Sequence, residues 1–386
     1  MPDRDIDEGF LRQGLEMAAQ GIGRTSPNPC VGAVIVDAKG AVVGTGSHTY
    51  DGLKHAEILA LEQAGEKARG ATLYVNLEPC SYQGRTPPCT DAVVAAGISR
   101  VVACMQDPNP LVSGQGFAKL RGGGVSVSFG LLEEQAKALN EAFAKYIRHH
   151  IPLVTLKAAM TLDGKIAPPA NQLPNPAGLI SGTRPPWITG ESARVHVQEL
   201  RHQNDAILVG VGTVIADDPL LTDRSGRPRR RPLLRVILDS RLRLPLESRL
   251  AKTVQDDVLV LCSFAEEKKR RELLKLGIRV QELPAAESDG LPDMSAVVRF
   301  LGQMEITSLM IEGGSKVNAA ALATGIVDKV FFYYAPRILA GTASIPFAGG
   351  AGFASINDAA RVKSVRLHRF GEDFAVEGYL KDPYAN

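Results

Sequence analysis

Three side chains in the first quarter of the chain could hold a metal between them. His55 is followed by Ala56 and Glu57, Cys80 follows Pro79, and Cys89 stands a short loop further on. Imidazole and thiolate are donors that borderline-soft Zn²⁺ prefers, and three protein donors leave a fourth position for water. Glu57 need not bind the metal. Its carboxylate can face the metal's water and move its proton. Zinc lowers the pKa of such a water, so the chemistry expected is hydrolytic attack on a carbon that bears an amino group. Gly46 and Gly52 upstream suit tight backbone near such a pocket. A closed structural zinc site would want a fourth protein ligand, and none stands nearby in the sequence. Cys104 lies in an apparent strand and reads as core, while Cys30, after a Pro-Asn-Pro turn, stays ambiguous.

His-x-Glu followed by Pro-Cys and a second Cys is the signature of nucleobase deaminases. One feature departs from its simplest form. Position 83 is Gln, so Cys-x-x-Cys is not met, and the second thiol comes only after SYQGRTPP (81–88). Two prolines can stiffen that longer loop and return Cys89 to the metal.

A second constellation lies far downstream. TSLMIEGGSKVNAAAL (307–322) reads as a strand, a glycine turn and a helix. Gly313 and Gly314 let backbone N–H groups approach an anion, Ser315 and Lys316 add donors, and a helix N-terminus favours phosphate. The pattern is neither G-x-G-x-x-G nor a P-loop, and a glycine pair after a strand is often a plain connection. A similar strand-then-glycine turn occurs at AILVGVGTVIADDPLLT (206–222). Two such turns together suggest a dinucleotide site. The arginines of DRSGRPRRRP (223–232) read mostly as a solvated loop, of which one or two could hold a phosphate by bidentate pairing.

The elements that must position these groups alternate strand and helix. Strands are expected at 31–36, 41–46, 71–77, 100–105 and 125–130, with helices from His55 to about Glu66, at 91–96 and at 131–150. Pro152 disfavours helix at Ile151 and marks a seam there. After it, strands are expected at 152–160, 206–210, 233–239, 257–262, 277–283, 307–311 and 329–336, with helices at 191–201 and 265–276. SVRLHRFGEDFAVEGYL (364–380) alternates on both sides of Gly-Glu-Asp and reads as a hairpin. APPANQLPNPAGLISGTRPP (167–186) should be a loop. The rhythm is that of an α/β layer architecture, with one domain before residue 150 and another after it.

Composition bounds the rest. The chain has 386 residues, 45% hydrophobic and 22% charged, with a formal net charge of +2. That is an ordinary globular make-up with no electrostatic pull toward nucleic acid or membrane. No apolar run is long enough to span a bilayer, and the acidic start MPDRDIDEGF does not read as a secretory signal. Five cysteines, odd and sparse, argue against a disulfide scaffold and for the cytoplasm.

RTSPNPCVGAVIV (24–36), HAE (55–57), LEPCSYQGRTPPC (77–89) and MQDPNP (105–110) together resemble the bifunctional deaminase/reductases of riboflavin biosynthesis. The second half carries LKAAMTLDGKIA (156–167), WITG (187–190), VGTVIADDPLLT (211–222) and IEGG (311–314), so the resemblance covers nearly the whole chain. It implies a cytidine-deaminase-like three-layer α/β/α domain over residues 1–148, then a dihydrofolate-reductase-like α/β domain over 149–386. It implies deamination of a pyrimidine ribotide, then reduction of its ribosyl unit by NADPH. By position, His55, Cys80 and Cys89 would bind one Zn²⁺ and Glu57 would shuttle protons. Ala159, Trp187, Thr213, Asp217, Ser240 and the turn Gly314, Ser315, Lys316, Val317, Asn318, Ala319 and Ala320 match cofactor positions. Lys157, Arg201, Leu221, Arg224 and Glu312 match positions at or near substrate, and Asn28 is placed there too. His48 joins them as a contact to the pyrimidine, from its place before the HAE helix. Three departures stand out: Tyr82 where the family usually has His, Pro185 where it has Ser, and a longer loop at 167–186.

Two other classes compete. A nucleic-acid-editing deaminase would want a basic groove with stacking aromatics, and 5% aromatics with one Trp argue against it. A non-catalytic zinc-stabilised protein has no use for Glu57. His149 and His150 resemble a metal pair but end a helix, where they suit its dipole or face solvent. The terminal hairpin and KVFFYYAP (329–336) could contribute to a dimer interface in the second domain.

Overall fold

The computed structural model describes residues 2–84, 87–169, 187–286 and 290–385. The expected loop at 167–186 lies outside these residues from 170 onward, and Pro185 with it. The chain forms two compact units: Met1–His149 with Pro228–Arg231, and His150–Arg227 with Pro232–Ala385.

The first unit runs α1 (Pro2–Ala19), β1 (Gly32–Val36), β2 (Val42–Ser47), α2 (Ala56–Ala64) with a 3-10 turn at Gly65–Ala68, β3 (Thr72–Leu77), α3 (Cys89–Ala95), β4 (Arg100–Met105), α4 (Gln115–Gly122), β5 (Ser126–Phe129) and α5 (Glu133–His149). Its sheet has the order β2-β1-β3-β4-β5, with β1 antiparallel to both neighbours and β3, β4 and β5 parallel. β1 reads GAVIV and is buried throughout, because helices cover both faces of a central strand. Ala33 and Ile35 share a core with Ala56, Ala60 and Ala64 of α2. Gly32 faces the other way, where an added Cβ would stand 2.1 Å from the Gly14 carbonyl of α1. These two faces make the three layers.

The approach of α2 to β2 is equally close. A Cβ at Gly44 would lie 2.1 Å from the Ala60 carbonyl, and one at Gly46 2.0 Å from that of Ala56. Backbone rests on backbone, and this sets where His55 and Glu57, at the start of α2, come to stand. Gly46→Ala should therefore push α2 off the sheet. We expect a loss of roughly 1–3 kcal/mol, together with lowered zinc retention, read by thermal unfolding and metal analysis.

The second unit runs β6 (Leu153–Thr161), β7 (Lys165–Ala167), α6 (Glu191–Gln203), β8 (Ala206–Gly210), α7 (Val211–Asp217), β9 (Leu234–Leu238), α8 (Arg249–Lys252), β10 (Val258–Cys262), α9 (Glu267–Lys275), β11 (Arg279–Glu282), α10 (Met294–Gln303), β12 (Ser308–Ile311), α11 (Ser315–Ala323), β13 (Lys329–Ala335), β14 (Ile345–Pro346), β15 (Lys363–Phe370) and β16 (Asp373–Tyr379). Nine strands form one sheet in the order β11-β10-β9-β8-β12-β6-β13-β16-β15. It is parallel from β11 to β13, and β16 and β15 close it as the expected antiparallel hairpin. Separate apolar cores cover its two faces. From β8 the chain winds outward to β11 and returns to insert β12 between β8 and β6. That reversal leaves a crevice at the carboxyl ends of the strands, where open α/β sheets bind ligands.

Five helices were not anticipated from sequence: α1, α4, α7, the single-turn α8 and α10. α7 begins Val-Gly-Thr-Val-Ile, a composition that reads as strand and turn. α10 carried a usable signal, since Asp293 caps it by accepting from the N–H groups of Ser295 and Ala296.

Candidate active sites

His55 stands at the N-cap of α2, Cys89 is the first residue of α3, and Cys80 follows β3 by a short turn. Their ligand atoms lie within 4.8 Å of one another. His55 Nδ1 is 3.2 Å from Cys89 Sγ and 3.5 Å from Cys80 Sγ, and the Cys89 backbone N–H donates to Cys80 Sγ at 3.3 Å. The long loop does return the second thiol. One nitrogen and two sulfurs fit Zn²⁺ with a coordination position to spare, and no fourth His, Cys, Asp or Glu joins the group among the described residues.

The charges fit as well. Bonds from the Cys89 thiol and from His55 lower Cys80 to about 4. The neighbouring thiolate and burial hold Cys89 up, as expected when two thiols share one site. The bond to Cys80 raises His55. Glu57, in the first turn of α2, is pushed up to about 7 by burial, with the Cys80 charge adding to the effect. A carboxyl poised there can take and return a proton near neutral pH.

The Cys80 thiolate is only partly buried, whereas Cys30, Cys104 and Cys262 are buried, and burial raises the latter two. After chelator treatment, iodoacetamide should therefore label Cys80 well before those three, and added zinc should protect it. Mass spectrometry of the peptides reads this directly.

The walls near the cluster use residues from distant elements. His48 Nδ1 lies 2.9 Å from the Lys54 carbonyl, so that nitrogen carries the proton. Its Nε2 then accepts from the Asn28 amide at 3.0 Å. Burial lowers His48, which keeps it neutral. Its ring centroid is 5.5 Å from that of His55. Asn28 and His48 thus come together beside the metal donors. Cys30 loses its ambiguity: its backbone is gripped by Asn140, at the kink of α5, and by Asn76 on β3.

Sequence reasoning missed Glu78. This buried carboxylate accepts from the backbone N–H groups of Asp107 (3.0 Å), Gly114 (2.9 Å) and Phe117 (3.1 Å), tying the Asp107–Gly114 loop to the turn that carries Cys80. Burial pushes Asp107 up to about 6. Tyr82 is half exposed.

In the second unit, Lys157 lies on β6, Arg201 on α6 and Glu312 just past β12. Arg201 donates to both carboxylate oxygens of Glu312, at 3.1 and 2.9 Å, and to the Thr222 carbonyl at 3.0 Å. Lys157 Nζ is 3.8 Å from Glu312 Oε2. Burial pushes Glu312 up, but the Arg201 and Lys157 charges outweigh it and hold the carboxyl at about 2. The site thus carries net positive charge, which suits a phosphorylated substrate. Arg224 feels the same carboxylate, and its N–H donates to Gln198 at 3.0 Å. The Leu221 side chain is buried in the core and holds φ +57, so only its backbone could meet a ligand. The fully buried Arg235 on β9, also unanticipated, pairs with Asp257 at 2.8 Å and donates to the Leu220 carbonyl at 3.0 Å, which pins this loop.

The glycine turn is a cradle. Gly314 is the N-cap of α11, and no side chain caps that helix. A Cβ at Gly313 would lie 2.7 Å from Val317, and one at Gly349 2.8 Å from the Ser315 hydroxyl. Thr213 of α7 reaches the same spot, 3.4 Å from a Cβ placed on Gly314. The buried Asn318 is held by its amide on the Phe347 carbonyl at 2.7 Å. Uncapped N–H groups at the carboxyl edge of a parallel sheet fit a dinucleotide phosphate. Burial raises Asp217 of α7. Ala159 lies on β6, and Ser240 just past β9. Trp187 is exposed and sits under the Arg194 guanidinium at 5.3 Å. No described contact joins Trp187 or Ser240 to the α11 turn.

A hydrolytic zinc deaminase is the class that the first unit's layers and donor set define, and the second unit adds a nucleotide-binding α/β sheet. Comparison with known proteins carries this further. Residues 4–105 match the cytidine and deoxycytidylate deaminase zinc-binding region, and residues 152–376 match the RibD C-terminal domain. The riboflavin biosynthesis protein RibD of Aquifex aeolicus is 40% identical over 97% of this chain and 98% of its own length. That of Escherichia coli is 38% identical over 95% and 97%. The Acinetobacter baumannii RibD structure is 35% identical, with a TM-score of 0.82 over 97% of this chain and 99% of its own. A Thermotoga maritima structure described as a diaminohydroxyphosphoribosylaminopyrimidine deaminase/5-amino-6-(5-phosphoribosylamino)uracil reductase gives 0.77, also at 35% identity, over 98% and 99%. The chain belongs to the RibD family of riboflavin biosynthesis proteins. It is an enzyme with a deaminase and a reductase in one polypeptide, and its cofactors are zinc and NADPH. No helix among the described residues is long and apolar enough to cross a membrane.

Proposed function

We propose that residues 1–148 are the deaminase domain and 149–386 the reductase domain. The first converts 2,5-diamino-6-(5-phosphoribosylamino)-4-pyrimidinone to 5-amino-6-(5-phosphoribosylamino)uracil. The second reduces that product to 5-amino-6-(5-phosphoribitylamino)uracil. The observation that carries this reading is Glu57, buried and near neutral in pKa beside three ligand atoms that lie within 4.8 Å of one another.

His55, Cys80 and Cys89 hold the zinc in this reading, and zinc supplies a water acidic enough to ionise near neutral pH. The Glu57 carboxylate takes a proton from the attacking water and returns it to the departing amine. Asn28 and His48, locked to each other, present fixed polar groups to the pyrimidine. In the reductase, NADPH supplies a hydride. Thr213, Asp217 and the turn from Gly314 to Ala320 hold the cofactor, with Ala159, Trp187 and Ser240 at its margins. Lys157, Arg201, Glu312, Arg224 and the backbone at Leu221 hold the ribotide. We place the enzyme in the cytoplasm, as a dimer through the reductase domain, with a small-molecule ribotide and neither nucleic acid nor membrane as partner.

Mass spectrometry of the products tests both steps. With zinc but no NADPH, the protein should convert the diaminopyrimidinone ribotide to the aminouracil with release of ammonia. NADPH should then add two hydrogens. Deamination of cytidine or of single-stranded DNA in place of the ribotide would overturn the substrate assignment.

A further inference from the structure

α6 is anchored to the sheet at two points. One is Arg201 on Glu312. The other is His196, whose Nδ1 lies 2.6 Å from the Tyr333 hydroxyl. Tyr333 is fully buried on β13, paired in register with Ala159 of β6. The Lys157 ammonium stands 5.8 Å from the centroid of its ring. His196 is packed against Phe331 and Phe370, at 5.1 and 4.7 Å between centroids, so its own ring has little room to turn.

Burial pushes the Tyr333 hydroxyl up, so it keeps its proton, and burial lowers His196, so the imidazole is neutral with one bare nitrogen. We take the arrangement in which the phenol donates to a bare Nδ1 at 2.6 Å. A phenol that donates to a good acceptor has a more electron-rich ring, and a richer ring holds a cation more firmly. We propose that His196 and Tyr333 are positioning residues for Lys157: the pair fixes and enriches the aromatic face beside the ammonium, and so sets how tightly the reductase holds its anionic ribotide. The inference rests on the reading that places Lys157 at the substrate.

Lys157 is faced by Glu312 past β12, Arg201 of α6 and Tyr333 of β13. The pair is faced by Glu199 of α6, Glu377 of β16, His368 of β15 and Glu312, with Lys329 of β13 on Glu377. None of these others is altered in the test. His196→Phe keeps a ring but removes the acceptor, and Tyr333→Phe removes the donor. Each should raise the reductase KM for the aminouracil ribotide about fivefold, leave the KM for NADPH unchanged, and move the alkaline limb of kcat/KM to lower pH. The limb moves down because an ammonium with a poorer aromatic face loses its proton sooner. The double variant should be no worse than either single one, and His196→Gln, which keeps an acceptor, should recover most of the loss.

A KM and alkaline limb like the parent's in both single variants, or a fall in thermal stability alone, would overturn the proposal. Lys157→Met is measured alongside. If it impairs the reductase while the pair variants do not, the role of the pair fails. If it has no effect, the site reading fails too, and the pair has nothing to position.

Discussion

Glu57→Gln should cut ammonia release by about 10³-fold or more, with zinc content and fold unchanged. The carboxyl is buried and held near neutrality, so it can cycle between its two protonation states during turnover. The amide has nearly the same shape but cannot take up the proton of the attacking water. It removes only the partial charge of a carboxyl held near neutrality and leaves His55, Cys80 and Cys89 untouched, so those three should keep their metal. Ammonia assay, metal analysis and circular dichroism together separate loss of chemistry from loss of structure. The variant should still consume NADPH when given the aminouracil ribotide, since that substrate bypasses the first domain.

Glu312→Gln should be the most damaging single change in the second unit. Arg201 and Lys157 are both buried and both lean on this carboxylate. Its removal takes the nearest counter-charge from both cations, leaving Asp223 acting on Arg201 alone, and breaking such a buried pair costs roughly 3–5 kcal/mol. Reductase activity should fall with it. The pH dependence has a definite sign. The Glu312 carboxyl sits at about 2 in the folded protein, below its ordinary value near 4.5. A depressed carboxyl stabilises the fold above its ordinary value, and that share is lost as pH falls toward about 2. Urea unfolding of the parent between these limits should show a decline in stability that Glu312→Gln lacks. An equal decline in both would mean that Arg201 and Lys157 are not its main partners.

The cluster of His55, Cys80 and Cys89 was legible in the sequence because its chemistry is local. His55 and Glu57 share a helix turn, and Cys80 and Cys89 end one loop. The inner strands β8, β9 and β10 were legible as well, since a strand buried on both faces is a nearly continuous apolar run, interrupted here only by Arg235 of β9. What stayed hidden is held by contacts remote in sequence. Glu78 acts on the backbone of a loop some thirty residues away, and nothing near it announces a buried carboxylate. Asn140 grips Cys30 across 110 residues. The Arg201–Glu312 pair spans 111 residues, so the two could be singled out by resemblance but not paired. Leu221 matched a substrate position by motif, yet its side chain belongs to the core and only its backbone is available.

The most direct test of the account is NADPH oxidation by the zinc-loaded protein given the diaminopyrimidinone ribotide alone. Reduction after deamination predicts a lag, then steady consumption of NADPH, with one ammonia released for each cofactor oxidised. Glu57→Gln should abolish that signal and recover it on addition of the aminouracil ribotide. NADPH oxidation by Glu57→Gln on the diaminopyrimidinone itself, or none by the parent on either ribotide with zinc in place, would contradict the account.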